Sequence, residues 1–388
     1  MVSASVRGGL EAFLARLREL TASGEGFDPA VPAAFVEAGL HLAPLPVEAG
    51  GLGLGLAGAA TLAASIGAVD GSASLGVAMH LHVVGSAADG RWPAPARERL
   101  YAAVRGGALV NSAATEEGGG SPARGAIPGT VARPVGDGWR LTGEKTWTTW
   151  LPALGLATVT AVVEGSEPPA VGTFLVDLGA PGVERRPGFE ALGMRGSASG
   201  RLRLDGVRVD ADDVVAVRRP SEPDPRGVAA PAWFAGCIGG TYLGVGEGAR
   251  AEVARWALDR RPGDGRTAVA DLPTVRVRLG RLDADLRAAR LVLEAVTARW
   301  EAAADEAARA ALLGDVQLAK LVTTQAAARA TDEALRIAGG PGFLAGRLER
   351  AFRDARAGLI NPPLEDVAYQ GFAAQVLGRV AGDGRGPG

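Results

Sequence analysis

The 388-residue sequence predicts an α+β protein in three parts: an N-terminal α-helical domain over 1–109, a middle β domain, a barrel or sheet, over 110–226, and a C-terminal four-helix bundle domain over 227–388. Three observations predict it. Apolar residues recur at helical spacing up to about residue 109, and then alternate singly in short segments to about residue 220. After a Pro-rich connector they return to helical spacing in long runs of Ala, Leu and Arg.

The elements follow in order. The first twenty residues carry Leu and Phe at amphipathic helical spacing and lack the basic start and unbroken apolar core of a secretory signal, so the chain is expected to be unprocessed. Helices then run to residue 109, broken at Pro44-Leu45-Pro46 and by the glycines after Gly50. Between Gly50 and Ala88 the only charged residue is Asp70, and stretches this apolar can span a bilayer. Glycines dilute the stretch, and Asp70-Gly71-Ser72 reads as a helix stop and restart, so two buried helices are predicted instead.

The β region shows as Trp139–Thr142, Val171–Val176 and Arg201–Leu204, separated by Gly and Pro turns. The connector is Arg219–Arg226, and helices are predicted at 230–260, 270–304, 306–339 and 364–382, a set that can pack as a bundle. Gly382–Gly388 is expected to be a frayed tail.

Composition narrows the function. With 41 basic and 43 acidic residues the formal charge is −2, which gives no electrostatic reason to expect nucleic acid or an anionic membrane; the partner is a small molecule or a protein. Cys237 is the only cysteine, which excludes an internal disulfide and a thiolate metal cluster and fits a reducing, cytoplasmic location. Lys145 and Lys320 are the only lysines in an Arg-rich chain, either held for a function or left by chance.

Two motifs are set aside. Gly53-Leu54-Gly55-Leu56-Ala57-Gly58 fits G-x-G-x-x-G, but prolines precede it and helices follow, where a dinucleotide fold needs a strand and alternating elements. His80 and His82 have His41 as their only histidine companion and no acids at metal spacing.

The segment Ala114–Ser121 (ATEEGGGS) resembles the A-x-T-E-P-G-A-G-S signature of acyl-CoA dehydrogenases. Leu141–Thr149 (LTGEKTWTT) is similar to that family's N-G-x-K-x-W-I-T, and Ile337–Phe343, Arg353–Arg356 and Val47–Gly53 resemble its G-G-x-G-F/Y, R-D-A-R and P-E-x-Y-G-G-L-G blocks. All occur in the family's order, and the chain is identified as a member.

The resemblance implies an FAD-dependent enzyme that dehydrogenates an acyl thioester, of CoA or a carrier protein, between Cα and Cβ. It assigns the flavin ring to Ala113, Ala114 and Thr115 with Trp147 and Thr149 closing one face, the tight turn to glycines 118–120 including Gly120, and a phosphate or pantetheine contact to Ser121. A neighbouring subunit would complete the pocket with Arg260 or Arg261 and with Gly339 and Gly340; the family's two glutamines there align with Pro273 and Arg336. The acceptor would be electron-transferring flavoprotein or oxygen, and the assembly a homodimer or homotetramer.

The catalytic base departs from the family. Its usual glutamate aligns with Pro362, and the Glu-Arg pair used by other members aligns with Phe234-Ala235. Three readings follow: a dehydrogenase with a relocated base, Glu365 or Asp366; a flavin monooxygenase, which needs no Cα base; or a non-catalytic partner subunit in a mixed oligomer.

Overall fold

In a computed structural model, residues 4–22, 24–118, 126–263 and 265–383 are described. The N-terminal helices are α1 (Ala4–Leu20), α2 (Ala30–Glu37), α3 (Leu56–Gly67), α4 (Gly71–Asp89) and α5 (Ala94–Arg105). The Asp70 carboxylate accepts from the Ala73 N–H at 2.9 Å, capping α4 and satisfying a donor that the helix start leaves open. The apolar stretch around it is thus two helices, and α4 is buried from Gly71 to Ala87. No helix among the described residues is long and apolar enough to cross a membrane. The Gly53–Gly58 glycines lead from the turn at Val47–Ala49 directly into α3.

The middle region is one eight-stranded sheet: β1 (Leu109–Ala113), β2 (Val131–Val135), β3 (Gly138–Thr148), β4 (Leu154–Val163), β5 (Val171–Asp177), β6 (Val183–Arg186), β7 (Gly200–Asp210) and β8 (Val214–Arg218). The strand order is β6-β7-β3-β2-β4-β5-β8, with β1 added in parallel beside β4. On β7, buried Leu202 and Leu204 alternate with exposed or half-buried Arg201 and Arg203, the period-two pattern of a strand with one core face.

The C-terminal helices are α6 (Ala229–Asp259), α7 (Pro273–Ala302), α8 (Glu306–Ala338), α9 (Arg347–Ile360) and α10 (Glu365–Asp383). Gly239 meets Lys320 and Thr323 while Gly246 meets Ala327, so α6 and α8 run parallel. Gly240, Gly244 and Gly248 of α6 lie on the backbone of Ala60, Ala64 and Ala68, a contact in which even a methyl group would clash. That stripe lets α3 lie in register along α6.

One correction concerns the bundle. The four predicted helices omit α9, which packs against α6 and α8, whereas α10, predicted as the fourth, leaves Tyr369, Val376 and Leu377 exposed and buries Ala368. Four arginines, a glutamate and an aspartate obscured the apolar spacing of α9. The last helix continues to Asp383, past the expected start of fraying at Gly382.

Candidate functional site

At the open end of the sheet the backbone leaves its ordinary conformations. Trp147, Trp150, Met194 and Ala198 are the non-glycine residues with left-handed backbone among those described, at φ of 57°, 56°, 55° and 45°. Each such residue costs about 1–3 kcal/mol, and such strain gathers at functional sites. The two segments are joined where the Trp150 N–H donates to the Ser197 carbonyl at 2.8 Å.

Trp147 is 51% exposed and stacks on Phe189 with ring centres 4.3 Å apart and planes 25° apart. The Arg201 guanidinium lies 5.1 Å from the Phe189 ring and pairs with Glu117 at 2.7 Å. Beside this platform the Thr149 hydroxyl lies 3.0 Å from that of Ser199, which lies 3.0 Å from that of Ser197.

The end of β1 is tied to the same place: the Thr146 N–H donates to the Thr115 carbonyl at 2.8 Å, and Asn111 donates to the Thr149 carbonyl at 3.0 Å. Ala113 is buried, Ala114 half-buried and Thr115 exposed. The fold therefore gathers Ala113, Ala114, Thr115, Trp147 and Thr149 into one wall of aromatic surface, hydroxyls and backbone groups, a donor set that suits a flat, amphipathic ring. Gly118 has φ of 70°, as a tight turn requires, while Gly120 and Ser121 lie outside the described residues.

Sequence reasoning missed what fastens this wall. Lys145 is fully buried and pairs with Glu116 at 2.5 Å, and the same carboxylate accepts from the Thr130 N–H at 3.0 Å and hydroxyl at 2.7 Å. Burial alone would raise the Glu116 carboxyl, but the bonds from Lys145 and Thr130 outweigh it and hold the carboxyl below its usual range. Burial lowers Lys145, and Glu116 opposes that shift. The scarcity of lysine was the one available signal.

In the bundle, a loop joins α9 and α10. Pro362 lies there, exposed, between two neighbours held from below: Tyr242 donates to the Asn361 side chain at 2.6 Å, and Lys320 donates to the carbonyls of Gly358, Asn361 and Pro363 at 3.0, 2.7 and 3.2 Å. Burial lowers Lys320 to about 8, against the pull of Glu365.

Glu365 and Asp366 are exposed in the first turn of α10, where negative charge suits the helix dipole. The Glu365 carboxylate accepts from Gln325 at 2.9 Å. Phe234 packs edge-on against His82, their ring centres 5.3 Å apart. His82 lies on α4, and its neighbour His80 points elsewhere: one of its nitrogens accepts from the Val110 N–H at 3.3 Å and the other donates to the His41 carbonyl at 2.9 Å.

Arg260, Gly339 and Gly340 are exposed and follow the parallel helices α6 and α8, so they share one end of the bundle. Within the chain that end is remote from the aromatic wall. Arg260 stands fifteen residues beyond Val245, which meets Gly71 alongside Met194, and fifteen residues of helix span about 22 Å.

Three stretches match domain families: residues 1–89 the acyl-CoA dehydrogenase N-terminal domain, 111–207 its middle domain and 236–360 its C-terminal domain. The chain is 31% identical over 343 residues to YdbM of Bacillus subtilis (strain 168), named as an acyl-CoA dehydrogenase, covering 88% of this chain and 87% of that protein. It is 30% identical over 391 residues to the amino sugar nitrososynthase RubN8 of Streptomyces rubradiris, covering 95% and 88%. The solved structure of KijD3 in complex with FMN and dTDP-3-amino-2,3,6-trideoxy-4-keto-3-methyl-D-glucose matches with a TM-score of 0.84 at 26% identity, covering 97% of this chain and 95% of that one. Butyryl-CoA dehydrogenase from Megasphaera elsdenii matches with a TM-score of 0.83 at 17% identity, covering 97% and 99%, a likeness of fold alone.

Proposed function

The chain belongs to the acyl-CoA dehydrogenase family, and from that premise we propose that it is a flavin-dependent monooxygenase, using reduced flavin and oxygen rather than drawing electrons from an acyl thioester. The observation that carries this reading is the α9–α10 loop. Dehydrogenation of a thioester needs a carboxylate to take the Cα proton. Here proline occupies the usual position, in a loop pinned by Lys320 and Tyr242, and the next acid along the chain, Glu365, is turned to Gln325. The similarity to RubN8 and to FMN-bound KijD3 supports the same reading.

A bound flavin would supply the electrons that activate oxygen. On this side of the pocket, Thr115 and the backbone of Ala113 and Ala114 would bind the ring edge, Trp147 and Phe189 would exclude water from its face, and the Thr149 hydroxyl would orient it. Arg260, Gly339 and Gly340 would serve the pocket of a second copy, since within the chain they lie too far away, so a homodimer or homotetramer is part of the proposal. FAD is the flavin expected from the sequence; FMN, as in KijD3, is the competitor, and titration with each decides.

The second reading is α,β-dehydrogenation of an acyl thioester with Glu365 as relocated base and electron-transferring flavoprotein as acceptor. The 31% identity to YdbM favours it. An anaerobic spectrum of the flavin-loaded protein, recorded before and after a panel of acyl-CoA thioesters, separates the readings. Bleaching by any thioester overturns the monooxygenase; a flavin that stays oxidised, together with oxygen uptake when reduced flavin is supplied, supports it. A protein that binds no flavin overturns both and leaves the non-catalytic partner of a mixed oligomer.

A further inference from the structure

We propose that Asp354 is a positioning residue for this site: from α9 it clamps the strained segment 192–194 and, through Ser197 and Ser199, sets the Thr149 hydroxyl. Asp354 is 4% exposed, and its carboxylate accepts from the backbone N–H of Met194, a left-handed residue, at 2.5 Å. The preceding arginine grips the same segment, donating to the Leu192 carbonyl at 2.9 Å. Between them Gly193 lies against the Arg353 carbonyl with no room for a side chain. Three consecutive residues of the β region are therefore held by two consecutive residues of a bundle helix.

From Met194 the path to the site is continuous. The Ser197 N–H donates to the Met194 carbonyl at 3.0 Å, the Ser197 carbonyl accepts from the Trp150 N–H at 2.8 Å, and the Ser197, Ser199 and Thr149 hydroxyls follow in steps of 3.0 Å. The left-handed conformations at Met194 and Ala198 persist only if their surroundings over-determine them. Asp354 supplies that constraint at the buried end of the path.

The surroundings of Asp354 argue against a purely packing role. A buried carboxylate is costly, and a neutral residue of similar shape would fill the space more cheaply. Asp354 borders a cavity of about 30 Å³ together with Asp70, Gly71, Val245, Glu252 and Arg350, room enough for a water molecule. Its carboxyl group thus stands where it can meet both a backbone donor and a water molecule. The nearest charged groups are Asp70 on the α4 cap and Arg350 and Arg353 on α9, with the Tyr242 phenol of α6 beside them.

Only the flavin readout of the test rests on the function proposed above. In the full-length protein, Asp354→Ala, Asp354→Asn and Ser197→Ala are compared by hydrogen exchange of backbone amides and by affinity for FMN and FAD. An orphaned buried N–H is destabilising, so Asp354→Ala is expected to speed exchange in 189–200 and to weaken flavin binding by about tenfold or more, leaving α6 and α8 unchanged. Asp354→Asn keeps a side-chain oxygen for Met194 and should restore both. Ser197→Ala should weaken flavin binding with Met194 still protected, which keeps the proposal testable if the alanine variant does not fold. Unchanged exchange in 189–200, acceleration spread equally over α6 and α8, an asparagine variant no better than alanine, or full flavin affinity in Ser197→Ala overturns the proposal. If the wild type binds neither flavin, the flavin assignment falls, and the exchange of 189–200 alone decides the clamp.

Discussion

Lys145 in the sheet and Lys320 in the bundle are both withdrawn from water, yet their charges meet opposite surroundings. Lys145 meets a carboxylate, and Lys320 meets three backbone carbonyls. The difference follows from what each must hold. Lys145 joins two distant strand ends through Glu116, whose several acceptor sites also gather Thr130. Lys320 closes a helix end, where carbonyls without intrahelical partners already converge. One lysine completes an ion pair between segments, and the other works as a cap from outside the helix it caps.

The strongest way to break the comparison is to remove one partner of the ion pair. Lys145→Met should cost about 3 kcal/mol in urea denaturation, because it strands a half-buried carboxylate. The double variant Lys145→Met/Glu116→Leu should recover much of that loss. An equal loss in both would mean that the contacts to Thr130 matter more than the charge of Lys145.

Asp354 tests a buried charge with neither arrangement. Burial, opposed by the Met194 bond, raises its carboxyl to about 7. A raised carboxyl contributes stability that is fully present below its unfolded value near 4 and is lost as pH rises through 7. Replacing it by asparagine should therefore leave wild type losing about 2–4 kcal/mol relative to the variant between pH 4 and pH 8. A pH-independent difference would refute the assignment.

Lys320→Met should cost about 2–3 kcal/mol, the value of losing charged hydrogen bonds while leaving carbonyls unpaired. Its folded value is depressed, so stability from this group is present above the unfolded value near 10.4 and is lost as pH falls through about 8. The cost of Lys320→Met should accordingly be larger at pH 10 than at pH 7. Smallest of all, Glu365→Gln removes an exposed charge at a helix start and should change stability by less than about 0.5 kcal/mol in a thermal melt. It should also leave flavin chemistry untouched if the loop supplies no base; loss of thioester-driven bleaching in this variant would restore the dehydrogenase reading.

Local pattern made several features legible. Asp70 before Gly71-Ser72 announces a cap because an N-cap acts on the residue three positions on, within the same turn. The alternation of β7 shows because strand periodicity is written in adjacent residues. Trp147 and Thr149 were marked by likeness to a known motif, without any sign that Trp147 adopts a left-handed conformation. The α9 helix was lost because charged residues interrupt its apolar positions in every turn up to Arg356.

Other features depend on partners that no spacing rule connects. Glu116 meets Lys145 across 29 positions, and Met194 meets Asp354 across 160. Each of these four residues looks ordinary in its own segment. The sequence alone determined the family, the order of helical and sheet regions and the proline where a base is expected, because these reside in residue identity and short-range period. Only the tertiary structure decided which carboxylate neutralises Lys145, which carbonyls receive Lys320 and how α9 grips the strained loop. Those contacts arise when distant segments pack and must satisfy one another's buried polar groups.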